Sequence, residues 1–329
     1  MNLTAARNAL LGAALVAASA ALPGVSHAQE EMMLTFAHGF TPDMSWGKAA
    51  QKFKEVVERE TDGKLQIQIY DSALLGEQRQ LIEQIIDTGT NDISISLEPI
   101  SLWVPEVNLY QLLYLFEDMD HLIRFEEGEG GQALKDLVRE KAGLEVLTYF
   151  PRAPRQLSTV DIAVDSVEDV QGMKLRVPES KSAIAGWTAI GAKPVPMPFG
   201  EVFTALRQGV LDAQENPFPH MVARKTYEVT PHGARTNHVF APVWLFMSAE
   251  KYAALPPEYK AAIDKAAQEA HAFERKITEA EIAEAEATLK ENGFQITEPD
   301  LAPFREAARR SYDQFPQLKG WIERVQAIE

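Results

Sequence analysis

Two hydrophobic periods alternate along this chain. The apolar run Met33–Ala37 predicts a strand. Ala49, Ala50, Phe53, Val56 and Val57 then recur at helical spacing, and Thr61-Asp62-Gly63 ends that helix, glycine being suited to a left-handed cap. Leu65, Ile67 and Ile69 alternate with polar residues, so Leu65–Tyr70 reads as a strand. Gly76 opens a loop into a helix carrying Leu81, Ile82, Ile85 and Ile86, Gly89 closes it, and Asp92–Leu97 is a third strand. The same order returns later. Strand Met173–Val177 is stopped by Pro178, helix Ser180–Ile190 is ended by Gly191, Pro194–Met197 is extended, helix Glu201–Arg207 is closed by Gly209, and strand Leu211–Glu215 follows. Both third strands are preceded by Gly-x-x-Asp (Gly89 to Asp92, Gly209 to Asp212), and both run into an acid near a proline (Glu98-Pro99, Glu215-Asn216-Pro217). The expected fold class is α/β, in two similar lobes, each a small twisted sheet flanked by helices. Ligands of such sheets bind outside the carboxyl ends of the strands, so two facing lobes would enclose a cleft that hinge closure can seal.

The later part of the chain has a different texture. From Pro257 to Asn292 it is rich in Ala, Glu and Lys, with a thin apolar stripe of Ala262, Ala266, Ala270, Phe273, Ile277, Ile282 and Leu289. A helix this long and this polar usually bridges between domains. It is expected to cross the back of both lobes as one helix or a kinked pair, followed by shorter helices over 302–328.

The beginning reads as a targeting signal. Arg7, the apolar run Ala9–Leu22 and the small-x-small pattern Ser26-His27-Ala28 predict a signal peptide over residues 1–28. The run is too short to span a bilayer comfortably, and no later stretch reaches the roughly 18 apolar residues a span requires. The expected product starts near Gln29, is soluble, and resides in the periplasm. The absence of cysteine excludes disulfides and thiol chemistry. Net charge is −16, and removing Arg7 with the signal makes it −17. Such a surface repels nucleic acid and anionic lipid, yet it does not forbid an anionic ligand, because cleft arginines set the local potential while distant exposed charges are screened.

Catalytic patterns are missing. The chain has no Gly-x-Ser-x-Gly elbow, no phosphate-binding Gly-x-x-x-x-Gly-Lys-Ser/Thr loop and no His-Glu-x-x-His. Glu126-Glu-Gly-Glu-Gly-Gly131 resembles a phosphate loop only in its glycines; its acids would repel phosphate, so it reads as a mobile surface turn. Glu117-Asp-Met-Asp120 lacks the oxygen set of a hard-cation site and reads as a solvated loop before a helix. No nucleophile, cofactor or metal is indicated, and the expectation is a protein that is not an enzyme.

The informative stretches are Gln171-Gly-Met-Lys-Leu-Arg-Val-Pro178, the segment from Gly191 to Gly209 (Gly-Ala-Lys-Pro-Val-Pro-Met-Pro-Phe-Gly-Glu-Val-Phe-Thr-Ala-Leu-Arg-Gln-Gly) and Asp212-Ala-Gln-Glu-Asn-Pro217. Together with Ala49-Ala-Gln-Lys-Phe53, Thr61-Asp-Gly-Lys64, Leu75-Gly76 and Leu113-Tyr-Leu-Phe116, they resemble the solute-binding proteins of tripartite ATP-independent periplasmic (TRAP) transporters over nearly the whole mature chain. The resemblance implies a two-lobed periplasmic-binding-protein fold, with 29–153 and 242–281 in the first lobe and 154–241 and 282–329 in the second. It implies a monomeric receptor that binds a small organic carboxylate and passes it to the membrane subunits of a transporter. A sugar acid or similar hydroxylated acid is favoured; a C4-dicarboxylate, or a receptor for an ATP-driven importer, is the competing reading.

The resemblance also implies a carboxylate-holding arginine at Arg176. That residue ends a predicted strand just before Pro178, where the cleft should lie, and a guanidinium can hold a carboxylate bidentately. A second family arginine about twenty residues earlier falls on Arg155, with Arg152 the competing choice. Asn216 matches a family contact whose amide offers both donors and an acceptor, and Phe199 matches a pocket aromatic. From the first lobe, His38 after the first strand and Ser96 and Glu98 at the end of the third should face the same cleft and set specificity. Trp46, Phe240 and Trp244 are further candidates, each of a kind more often found in the core than in contact with ligand.

Overall fold

A computed structural model describes residues 31–328, so the predicted signal segment lies outside the described residues. The first unit of alternating pattern builds β1 (Met32–Ala37), α1 (Ser45–Glu60), β2 (Leu65–Tyr70), α2 (Gln78–Glu83, widened into a π turn through Thr88) and β3 (Ile93–Ser96). The three strands are parallel, in the order β2-β1-β3. α1 lays Trp46, Ala49, Ala50, Phe53, Val56 and Val57 inward, with Phe53 edge-on to Phe36 of β1. Gly89 closes the second helix in the left-handed conformation, as its place in the pattern requires. After α3 (Met119–Glu127) and α4 (Glu129–Ala142) comes β4 (Leu144–Pro151), which extends this sheet.

The second unit repeats the plan. β5 (Gln156–Thr159) leads to β6 (Lys174–Val177), α5 (Lys181–Ile190), β7 (Lys193–Pro196), α6 (Val202–Arg207) and β8 (Ala213–Asn216), and α7 (Phe218–Ala223) and β9 (His232–Ala234) follow. Its parallel trio has the order β7-β6-β8, the counterpart of β2-β1-β3. Each trio is flanked beside its third strand by an antiparallel one: β5 beside β8, and β10 (Pro242–Ser248) beside β3. The repeated glycine punctuation therefore reflects a repeated sheet. The chain passes from the first sheet to the second between β4 and β5, and returns between β9 and β10.

After α8 (Ala249–Ala254), α9 runs unbroken over Pro257–Glu291, 35 residues. Tyr259, Ile263, Ala266, Ala267 and Ala270 pack into the core of the first sheet, while Ala285 and Leu289 join Phe218, Met221 and Phe294 beside the second. The helix thus spans both. β11 (Gln295–Thr297) adds to the edge of the second sheet beyond β9, α10 (Leu301–Arg309) packs on α5, and α11 (Lys319–Gln326) returns to α4. None of these helices is long and apolar enough to cross a membrane.

The stretch 126–131 is not a mobile turn. Glu126 ends α3 with its side chain buried, accepting from the Tyr110 hydroxyl and paired with Lys135 at 3.0 Å. The glycines serve close approach: a Cβ on Gly131 would meet the Glu126 carbonyl oxygen at 2.5 Å. They let α4 fold back on the end of α3.

Glu274 is the one buried acid of α9, and its Oε1 accepts from the Thr278 hydroxyl at 2.7 Å. Burial, only partly offset by Thr278, pushes its pKa up to about 8. In the unfolded chain a glutamate titrates near roughly 4.3. The folded chain therefore keeps a proton that the unfolded chain has released, and stability falls as pH rises from about 4 to about 8. Glu274→Gln should match the wild type near pH 4 and exceed its stability by about 3 to 5 kcal/mol above pH 8, measured by chemical denaturation; parallel stability curves would show that Glu274 ionises normally.

Candidate functional site

The carboxyl ends of both parallel trios, with the segment between β4 and β5, line a common cavity. Phe40 follows β1, Trp46 opens α1, Gln78 opens α2 and Glu98 follows β3. Arg152 and Arg155 come from the crossing segment, Arg176 and Pro178 from the end of β6, Phe199 from beyond β7, Asn216 from the end of β8 and His220 from α7. A second cavity adjoins it, sharing Gln78, Glu98, Arg176, Pro178 and Phe199 and adding Glu77 and Glu179.

All three arginines of this wall are buried, at 4%, 2% and 4% exposure for Arg152, Arg155 and Arg176, and they are held in three different ways. Arg155 turns its Nε–Nη2 edge onto both carboxylate oxygens of Glu215, with Nη2 to Oε1 at 2.7 Å, and Nη2 also donates to the Glu215 carbonyl at 2.6 Å. The β5–β8 pairing, Leu157 opposite Glu215, puts that acid beside it. His238 closes the cluster, with Nε2 at 2.9 Å from Glu215 Oε2 and Nδ1 at 2.8 Å from the Thr236 hydroxyl. Burial lowers the pKa of His238, so the neutral ring donates from Nε2 and accepts at Nδ1. Burial opposes ionisation of Glu215, but Arg155 and His238 overcome it and hold the carboxyl at about 2.

Arg152 donates from Nη1 to Glu98 Oε1 at 2.5 Å, and Gln111 donates to the same oxygen at 3.2 Å. Burial works against the Glu98 charge, and Arg152 followed by Arg155 brings its pKa below the usual carboxylate range. The other edge of Arg152 is open: Nε and Nη2 are buried and have no hydrogen-bond partner.

Arg176 has no carboxylate partner within 4.0 Å among the described residues. Its Nε and Nη2 both donate to the Met197 carbonyl, at 3.0 and 2.6 Å. Burial, then repulsion from Arg155, pulls its pKa down to about 10, so it stays charged at neutral pH. Arg152 and Arg155 are each ion-paired with a carboxylate, His220 is kept neutral by burial, and Arg176 feels Glu215, Glu98 and Glu179 only at a distance. A buried unpaired cation is costly, and an anion entering the cavity relieves that cost.

Of the expected site residues, Arg176, Arg155, Asn216, Phe199 and Glu98 come together on this wall. His38 and Ser96 stand behind it. His38 lies against Phe36 and Phe40, and burial lowers its pKa to about 4; Ser96 donates to Gln78 Oε1 at 2.7 Å, so Gln78 occupies the wall in its place. Of the aromatics, Trp46 lines the cavity, whereas Trp244 is core against Tyr110 and Phe240 packs at the core's edge. Gln78 and His220 escaped the sequence reading, although each begins a helix just beyond a strand end. Among the described residues no group of three or more His, Asp or Glu side chains is arranged to hold a metal ion.

The model of the DctP family, described as bacterial extracellular solute-binding protein, family 7, matches residues 36–318. Solute-binding protein RD1_1052 of Roseobacter denitrificans is 33% identical over 91% of either chain. The crystal structure titled as that TRAP periplasmic solute-binding protein, with bound L-galactonate, superposes with a TM-score of 0.86, 30% identity, and coverage of 91% of this chain and 100% of that one. The sialic acid-binding periplasmic protein SiaP of Vibrio cholerae is 33% identical over 81% of this chain and 83% of its own. A TRAP solute-binding protein from a Polaromonas species, bound to D-erythronate, gives a TM-score of 0.86 with 31% identity over 91% and 99% of the two chains.

The contrast between Arg155 and Arg176 can be measured without any ligand. Arg155→Met strands Glu215 in the interior and should cost about 3 to 5 kcal/mol in urea unfolding. Arg176→Met removes a buried charge that has no carboxylate partner and should leave stability unchanged or raised. Equal losses in the two variants would mean that Arg176 is held by a structural partner.

Proposed function

We propose that this chain, which belongs to family 7 of the bacterial extracellular solute-binding proteins, the receptors of TRAP transporters, binds a hydroxylated monocarboxylate of the sugar-acid class in the periplasm. It would act there as a monomer and hand the acid to the membrane subunits of its transporter. The observation that carries this reading is the unpaired charge on Arg176. A carboxylate entering the cavity would give Arg176 the ion pair it lacks within the protein. Asn216 beside Arg176 supplies an amide N–H to the same carboxylate or to a neighbouring hydroxyl, and its ring neighbours Phe199 and Trp46 offer flat apolar walls to a sugar carbon chain. The acids bound by the structural relatives, galactonate and erythronate, are monocarboxylates rich in hydroxyls, which supports the same class.

The test is a thermal-shift screen of residues 29–329 against L-galactonate, D-erythronate, a hexuronate, sialic acid and succinate, followed by calorimetry. A ligand at 100 times its dissociation constant should add about 2.7 kcal/mol of stability. The expected result is a shift with at least one hydroxylated monocarboxylate, and a loss of about a hundredfold or more in affinity for it in Arg176→Met. Succinate binding more tightly than every monocarboxylate would overturn the assignment, as would unchanged affinity in Arg176→Met.

A further inference from the structure

Arg224 bridges the two sheets. It follows α7 of the second unit, and its Nη2 donates at 2.8 Å to the carbonyl of Gly39, which follows β1 of the first. Its guanidinium lies over the ring of Phe199, 4.8 Å from the centroid, closer than Arg176 at 6.0 Å. A cation on an aromatic face is attracted to it, so Phe199 and Arg224 hold each other in place. Glu77 reaches in the opposite direction. It caps the start of α2 in the first unit and lies against Gly200 of the second, where a Cβ would run into its Oε1. Burial raises the pKa of Glu77, and Arg224 is the strongest influence drawing it back, with the Gly200 N–H also favouring the charged form. Burial lowers the pKa of half-buried Arg224, and Glu77 followed by Asp43 works against that.

The sheet orders show what these contacts can do. The chain crosses between the sheets at β4–β5 and at β9–β10. In the first sheet, ordered β2-β1-β3-β10-β4, the crossing strands lie at the end opposite β2; in the second, ordered β11-β9-β5-β8-β6-β7, they lie away from β7. Glu77 follows β2, and Phe199 and Gly200 follow β7, so these contacts sit by the two edges furthest from the crossings. Rotation about the crossings separates those edges most, and the Arg224–Gly39 bond exists only while the sheets are together. Both of its ends are protein atoms, so it needs no ligand. We infer that Arg224, aided by Glu77, is a latch: a positioning residue that holds Phe199 over the cavity and ties the second sheet to Gly39 of the first, so that the closed arrangement is partly populated before any ligand enters. A ligand then meets a binding-competent state already present, and its apparent affinity rises in proportion to that population. The inference goes beyond the carboxylate reading and does not depend on which acid is bound.

The test is pulsed electron paramagnetic resonance on residues 29–329, refolded from urea to remove any acid carried through purification. Spin labels go on Gln68→Cys and Lys193→Cys, exposed positions on the edge strands β2 and β7, in a chain with no cysteine of its own. The ligand-free protein should show two label separations, the shorter one matching the structure described above. Arg224→Gln should lower the ratio of short to long separation by about tenfold or more, the range of a hydrogen bond from a charged donor. Arg224→Lys, which keeps a donor and a charge over Phe199, should recover part of that ratio. If Arg224→Gln does not melt cooperatively, Glu77→Ala is read instead, with a fall of about threefold or more expected. A ratio unchanged in Arg224→Gln, or a lysine variant no better than glutamine, overturns the inference. A single long separation in the ligand-free wild type also overturns it and leaves the carboxylate reading as it stands.

Discussion

A guanidinium held in the interior without a carboxylate is the constraint around which the rest of the site is arranged. Desolvating one charge costs several kcal/mol even after the protein relaxes. Here the cost is confined to one group. Arg155, Glu215 and His238 form a closed cluster, and Arg152 with Glu98 forms a second, so neither contributes net charge. What remains is Arg176, fixed by the Met197 carbonyl and without a carboxylate at ion-pair distance. The overall charge of −16 has little say in this, because exposed acids are screened beyond about 10 Å while a charge in a closed cavity is not.

The architecture explains why these groups can meet at all. Most wall residues sit at or just past the carboxyl end of a strand, near the start of a helix, or on the segment that crosses between sheets. Those are the places where backbone direction changes and side chains point out of a sheet instead of along its faces. The crossing segment has a special position, since it places Arg152 and Arg155 against Glu98 of the first sheet and Glu215 of the second, respectively. α9 holds both sheets from behind, packing its first half on α1 and its later half on Phe218 and Met221 of α7, whose first turn also brings His220 to the cavity.

Much of this was legible in the chain itself. Short parallel strands with glycine-closed helices leave strong periodic signals, so most of the elements of the two trios fall within a residue or two of the pattern. Arg176 was legible because it stands near the end of a predicted strand stopped by Pro178, and Asn216 through the family resemblance. The roles of Arg152 and Arg155 were not. They are three residues apart on an irregular segment, and what separates them is the partner: Glu215, sixty positions away, reaches Arg155 only because β5 and β8 pair in the register that sets Leu157 opposite it. The stretch 126–131 misled for a related reason. Its glycines look like mobility in one dimension, and only the packing of α4 on α3, with Tyr110 reaching Glu126, shows that they serve contact.

The three arginines show how one side-chain type can do three jobs in a single wall. The fork of Arg155 is filled by a carboxylate, which spends its charge and makes it part of the framework. The fork of Arg176 is filled by a carbonyl, which fixes its direction and leaves its charge unmet. The fork of Arg152 is empty while its charge is met from the other side by Glu98. Charge and hydrogen-bonding capacity are thus separated onto different residues, one offering attraction without an open fork and the other an open fork without attraction.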